Sequence, residues 1–410
     1  MGTRKSDNQP AFLPDIDRGE QPRLMEPLLL SGDSWHRPEL SDLAFDLAAK
    51  CAALRSSLPT GIRTALGNLV RVMNCYYSNL IEGHNTHPVD IEKALLGDYS
   101  NDRNKRNLQL EAKAHISVQQ WIDEGGLVGQ ALTGTGIREI HKRFCQNLPE
   151  ELLWVEDPGF RARVEPGELR RYDVQVGGHV PISAGSVPRF IARFEETYGR
   201  LGKVETVIAA AAAHHRLLWI HPFLDGNGRV ARLMSYAQLW EVLETGGVWS
   251  IARGLARNET EYKQHLMSCD EPRQSDLDGR GNQSEEALAE FTRFFLRMCI
   301  DQVEFMEQLM QPSRLRERIL RWAAEEIERN RLPTKSGVIL EALLYRGELP
   351  RGEVPHILGV GERQGNRVVA ALIQQGVVTS SSTRAPLHLS FPAAVSGRWM
   401  PGLFPDAAAS

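Results

Sequence analysis

Sulfur is scarce in this sequence. Five cysteines, Cys51, Cys75, Cys145, Cys269 and Cys299, are scattered over 410 residues and are odd in number. They show no metal-ligand spacing and no disulfide framework, so inert buried thiols in the reducing cytoplasm are expected. Long apolar runs are missing too, which argues against a membrane partner. The N-terminus lacks a signal-peptide core; Met1-Gly2-Thr3-Arg4-Lys5-Ser6 fits the short myristoylation pattern but reads as a polar tail. Net charge is small, −4, so no global field draws the chain to nucleic acid, and any such contact needs a local patch. The length allows two or three domains with a sizeable core.

One stretch organises the rest. His221 to Arg232 reads His-Pro-Phe-Leu-Asp-Gly-Asn-Gly-Arg-Val-Ala-Arg. Val204 to Ile220 before it is apolar, alanine-rich and free of Gly and Pro, which predicts a buried helix. A second helical pattern starts at Arg229. The stretch is therefore helix, tight glycine loop, helix. Glycines let backbone N–H groups approach a ligand, and the next helix starts with unpaired N–H groups and partial positive charge. Gly226, Asn227 and Gly228 thus form an anion cradle. Arg229 and Arg232 share one helix face and can lean toward that anion. Asp225 is a hard oxygen ligand for a divalent ion on phosphate oxygens. His221 is the group here that can act as a neutral base. These parts suit nucleotidyl or phosphoryl transfer.

The pattern resembles the Fic family motif, His-x-Phe-x-(Asp/Glu)-Gly-Asn-Gly-Arg-x-x-Arg. All fixed positions are matched, by His221, Phe223, Asp225, Gly226, Asn227, Gly228, Arg229 and Arg232. The resemblance implies a mainly α-helical Fic-type core and AMP transfer from ATP to a Ser, Thr or Tyr hydroxyl of a target protein or of the chain itself. ATP would be the co-substrate and Mg²⁺ (or Mn²⁺), held by Asp225, the metal.

Upstream, Ser78-Asn79-Leu80-Ile81-Glu82-Gly83 ends a predicted helix with a glycine cap. A glutamate in a last turn opposes the helix dipole, which hints at a distant partner. The stretch resembles the family's inhibitory motif, (Ser/Thr)-x-x-x-Glu-(Gly/Asn). The resemblance makes Ser78, Glu82 and Gly83 an inhibitory element, with Glu82 pairing Arg232.

Asp173-Val174-Gln175-Val176 alternates, and Gly177-Gly178 and His179-Val180 follow. A small surface hairpin is expected. By resemblance it is a flap, Val174 to His179, that docks the target by strand addition. His214 and His215 are read as packing histidines; with His221 at a helix end they lack a fourth zinc ligand. By the same resemblance Tyr262 is a candidate to stack on adenine, and packing between helices is the equal alternative.

Residues 1–35 read as a loosely ordered N-terminal arm, 36–110 as a helical region bearing the inhibitory motif, and 111–310 as the catalytic core. In 330–395, three short helices precede a hairpin, the order of a winged helix. Its third helix would expose Arg363, Gln364, Asn366 and Arg367. DNA is a conceivable but disfavoured partner of this module, because acidic residues are mixed in. A homodimer is expected. Removal of AMP, another nucleotide donor, and a nucleotide-sensing DNA-binding regulator remain alternative readings.

Overall fold

The computed structural model describes residues 14–405. It is mainly α-helical, as expected. In chain order the helices are α1 (Arg37–Ser57), α2 (Thr60–Ile81), α3 (Pro88–Leu95), α4 (Arg103–Asp123), α5 (Gly134–Cys145), α6 (Val187–Tyr198), α7 (Lys203–Ile220), α8 (Asn227–Val242), α9 (Ala252–Arg257), α10 (Glu259–Asp270), α11 (Glu285–Met310), α12 (Pro312–Glu328), α13 (Ser336–Arg346), α14 (Val354–Leu358), α15 (Glu362–Gln374) and α16 (Ala393–Trp399). Strands are few and short: β1 (Trp154–Asp157) pairs antiparallel with β2 (Phe160–Arg163), and β3 (Val378–Thr379) with β4 (His388–Leu389). None of the helices described is long and apolar enough to cross a membrane.

The chain divides into two compact units that do not follow the linear segments expected from sequence. The first joins residues up to Arg37 with Gly129–Ser235 and Lys263–Thr292; the second joins Pro38–Val128, Tyr236–Tyr262 and Arg293 onward. Segments distant in sequence close each core, and a linear reading does not see that.

In the first unit α7 is the central element. Its run Ala209 to Ala213 is wholly buried, which lets neighbouring elements approach its backbone closely. Phe190, Phe194 and Tyr198 of α6 and Phe223 and Phe291 are buried in the same unit. Arg216 is fully buried in α7, yet its guanidinium is well supplied with acceptors. It donates to the Pro27 carbonyl at 2.8 and 3.1 Å, to the Cys269 carbonyl at 3.3 Å and to His215 Nδ1 at 2.7 Å.

The arm expected to be loosely ordered is firmly held from residue 15 onward. Arg189 grips the Asp17 carboxylate with two bonds, 2.5 and 2.6 Å. Glu20 accepts from Ser183 N, Ser183 Oγ and Ser186 Oγ at 2.6–2.9 Å. Tyr198 donates to the Leu28 carbonyl at 2.6 Å, and Met25 is wholly buried. Proline content suggested looseness; side chains far along the chain supply the anchors. The myristoylation pattern at Met1 to Ser6 lies outside the described residues.

The second unit packs α2 against α4 and α9, burying Leu66, Val70, Met73 and Tyr77. A buried carboxylate, Asp123, accepts from Arg71 Nε at 2.6 Å and Tyr236 Oη at 2.5 Å. The C-terminal part has the expected order: α13, α14 and α15, then the β3–β4 hairpin, with Leu349 bridged to Leu387. Arg363, Gln364, Asn366 and Arg367 lie exposed on α15. Two helices escaped the sequence reading. α9 is too short for a periodic signal, and α16 follows Pro392 with mixed polarity. α16 nevertheless buries Trp399, whose ring meets Trp322 edge-on at 5.2 Å.

Candidate active site

α7 ends at Ile220 because Pro222 cannot supply the next helical N–H. His221 takes the left-handed conformation, φ 51° and ψ 62°, which turns the chain into the glycine loop. Its Nδ1 lies 3.3 Å from the Leu218 carbonyl, which can only accept. Nδ1 therefore carries the proton, and Nε2 presents a lone pair. Burial, helped by the nearby Arg170 charge, lowers the His221 pKa from 6.5 to about 4, so the imidazole is neutral at physiological pH.

The loop is locked from within. Asn227 Oδ1 accepts from Phe223 N at 2.9 Å, and Asn227 Nδ2 donates to Phe223 O at 2.8 Å. Both ends of that amide are thus committed to the loop. What Asn227 offers an anion is its backbone N–H, while its side chain holds the loop closed. Phe223 stacks on His141, with centroids 3.9 Å apart and planes 5° from parallel. His141 accepts from Gly167 N at 2.9 Å through Nδ1. Gly226 has φ +82°, a conformation that penalises a side chain, and its carbonyl accepts the first bond of α8 from Val230 N. The N–H groups of Asn227 and Gly228 precede that bond, as an anion cradle requires.

Two arginines follow on α8. Arg229 is buried, stands 3.3 Å from Asp225 Oδ2 and lies over the Phe144 ring at 4.9 Å. Arg232 is buried, only 3% exposed, and acts electrostatically on His214, which pairs through Nδ1 with Ser235 Oγ at 2.9 Å. The Asp225 side chain is 54% exposed. A single open carboxylate beside a phosphate cradle fits a nucleotide-bound Mg²⁺, which takes one or two protein carboxylates and phosphate oxygens. The described residues hold no cluster of three or more His, Cys, Asp or Glu suited to a metal, so the phosphates would have to complete the shell.

The flap is smaller than expected. Val174 to His179 forms no strand pair; one bridge, Val176 to His179, closes the Gly177-Gly178 turn. A two-stranded ladder lies earlier in the chain, β1–β2 at 154–163, where none was expected from the sequence; each strand has only four residues, too few for a clear alternation. Val176 and Val180 are exposed. His179 points inward, its Nε2 donating to the Trp219 carbonyl at 2.8 Å in the last turn of α7. That contact ties the turn to the helix that carries His221.

His214 and His215 are packing residues: both are buried, and His215 Nε2 meets Asp270 Oδ1 at 3.0 Å. Tyr262 and the Ser78–Gly83 stretch belong to the second unit. Tyr262 is 2% exposed, so its ring is interior, which suits packing rather than an open stacking face. Ser78 is wholly buried; Glu82 is the exposed C-cap of α2, and Gly83 has φ +83°.

A pH effect on stability follows. Burial holds His141, His215 and His221 at about 4 and His214 at about 3, against an ordinary 6.5. Between those values the unfolded chain binds more protons than the folded one, so stability is lost as pH falls below about 6.5. Melting temperature should therefore drop between about pH 7 and pH 5 and stay level from about pH 7 to 8. Equal melting temperatures at about pH 5 and pH 7 would contradict the burial argument.

Residues 131–239 match the model of the Fic/DOC family. The "Protein adenylyltransferase Fic" of Drosophila erecta is 37% identical over 105 residues, 25% of this chain and 19% of that protein. The Drosophila ananassae protein of the same name is 38% identical over 119 residues, 28% of this chain and 21% of that one. The matched stretch thus spans about a fifth of these relatives' length. Among solved structures, a Fic family protein from Desulfovibrio desulfuricans G20 has TM-score 0.48 at 17% identity, covering 85% of this chain and 96% of its own. Fic-1 (residues 134–508) from C. elegans has TM-score 0.49 at 18% identity, covering 68% and 76%. All eight fixed motif positions fall inside the matched segment, so over residues 131–239 this chain is similar to the Fic/DOC family.

Proposed function

We propose that this protein moves AMP from ATP to a Ser, Thr or Tyr hydroxyl of a protein, a target or the chain itself. The observation that carries the reading is His221: neutral, with Nε2 free, at the mouth of a glycine loop that opens α8. His221 Nε2 takes the hydroxyl proton, and the oxygen attacks the α-phosphorus in line. The bond from that phosphorus to the bridging oxygen breaks, and pyrophosphate leaves. Backbone N–H groups of Gly226 to Gly228 hold the developing negative charge. Arg229 and Arg232 offset the charge of the leaving phosphates. Asp225 would hold Mg²⁺, which when bound neutralises phosphate oxygens. The Val174–His179 turn, exposed at Val176, would offer main chain to the target strand. The inhibitory role of Glu82 rests on the Ser78–Gly83 motif.

The test is intact-mass analysis after incubation with Mg-ATP, alongside UTP, GTP and CTP. An added AMP mass with ATP alone supports the reading. Addition of a different nucleotide makes the protein another transferase, and no addition by either the wild type or its Glu82→Gly form, to the chain or to any protein in a lysate, overturns transfer.

A further inference from the structure

Arg170 lies in the irregular segment between β2 and α6, and neither its neighbours nor its spacing marked it out. Its side chain is fully buried. It sits against the end of α7, where carbonyls have lost their helical donors. Nε donates to the His221 carbonyl at 2.7 Å, and one terminal nitrogen reaches the Ile220 carbonyl at 3.5 Å and the Ile182 carbonyl. The other donates to the Tyr172 carbonyl at 3.0 Å. The Arg170 backbone N–H donates to the Pro222 carbonyl at 2.8 Å. One residue thus holds three consecutive carbonyls, those of Ile220, His221 and Pro222. Its nearest acid, Asp173, stands at 3.8 Å, so the carbonyls are its principal partners.

These bonds matter because of what they enclose. A left-handed conformation costs a non-glycine residue roughly 1–2 kcal/mol, so surrounding structure must impose it on His221. A cation at a helix C-terminus is favoured by the dipole, and charge-assisted bonds are the stronger ones. Arg170 supplies both at the point where the chain leaves the helix axis.

We propose that Arg170 is a positioning residue for the transfer reaction: by gripping the carbonyls of Ile220, His221 and Pro222 it holds His221 in the turn that aims Nε2 at the target hydroxyl. The proposal rests on the reading of His221 as the base. Arg170 does not touch the nucleotide cradle, which is built on Gly226 to Arg232. Its loss should therefore change the rate of the chemical step and leave nucleotide binding in place. The charged or titratable groups acting on His221 are Arg170, His179 and Asp225, and Asp173, Glu20 and Arg18 act in turn on Arg170.

The experiment compares, in a Glu82→Gly background that relieves the proposed inhibition, the parent form, His221→Ala, Arg170→Lys and Arg170→Met for AMP transfer, with kcat and KM for ATP, thermal melting and the pH profile measured on each. Transfer by the parent form and an inert His221→Ala variant establish the base itself; failure there sinks the base reading and is seen without any Arg170 variant. Given both, Arg170→Lys keeps the cation but loses the planar fork. Its kcat should fall about 10²-fold with KM for ATP within about twofold of the parent form, as misplacement by about 1 Å predicts. Arg170→Met also removes the cation, so the acid limb of its profile should move to higher pH, while that of Arg170→Lys stays in place. The Met variant leaves carbonyls unpartnered and is the one at risk of misfolding; the Lys variant decides the matter. Full kcat in a folded Arg170→Lys protein overturns the proposal, and so does a loss confined to KM for ATP or to melting temperature.

Discussion

His221→Ala should lower AMP transfer by about 10²–10⁴-fold, the span attributable to a positioned general base. ATP binding should survive. The α8 N-terminus, Arg229 and Arg232 are untouched by the change, and the imidazole contributes no charge to the cradle because it is neutral. The substitution also removes the Nδ1–Leu218 bond, and alanine adopts the left-handed turn no more easily than histidine. A second variant separates base from backbone. Asn tolerates positive φ better than most residues, so His221→Asn keeps the turn while removing the base. Labelled-ATP transfer and calorimetric ATP binding, run on both variants, give the answer. Inert variants that still bind ATP support the assignment. Transfer at the original rate in either shows that another group takes the proton.

Much of this site was legible because its parts are adjacent in sequence. A base, a carboxylate, two glycines and two arginines fall within twelve residues, and helix periodicity on both sides places them at a helix–loop–helix turn. The glycine cap after Glu82 was legible for the same reason: it is local chemistry. What escaped the sequence was made by distance. Arg170 is about fifty residues before the turn it grips, and nothing near it differs from a surface arginine. His141 supports Phe223 and Gly226 from α5, a helix that reads as ordinary. The Asn227 side chain pairs with Phe223 N and O across the loop, and nothing in its sequence neighbours announces that closure. The arm illustrates the converse error. Its prolines argue for looseness, yet Asp17 and Glu20 meet Arg189, Ser183 and Ser186, partners more than 160 positions away. Short elements, α9, α16 and β1–β2, lie below the length at which periodicity separates helix or strand from loop.

Glu82→Gly should raise AMP transfer by about 5- to 150-fold, the span of a typical coupling between two sites. On the proposed reading, which rests on the resemblance of Ser78–Gly83 to an inhibitory motif, Glu82 competes with ATP phosphates for Arg232, and removing the carboxylate should release that arginine. The local structure says the change is tolerated. Glu82 is the exposed C-cap of α2, with φ −84° and ψ 2°, a conformation glycine adopts freely. Glycine costs roughly 0.5–1 kcal/mol in chain entropy. Removing an anion from a helix C-terminus returns about 0.3–1 kcal/mol. Glu82→Gln makes the sharper control, since it keeps length and shape and deletes only the charge. If inhibition is electrostatic, both variants are activated; if it depends on side-chain bulk, only the glycine form is. Self-modification with labelled ATP, followed over time for wild type and both variants at equal protein concentration, reads the outcome directly. Equal rates in all three, with melting temperatures matched, would mean that this acidic cap has no hold on the transfer site and that the chain is regulated elsewhere or not at all.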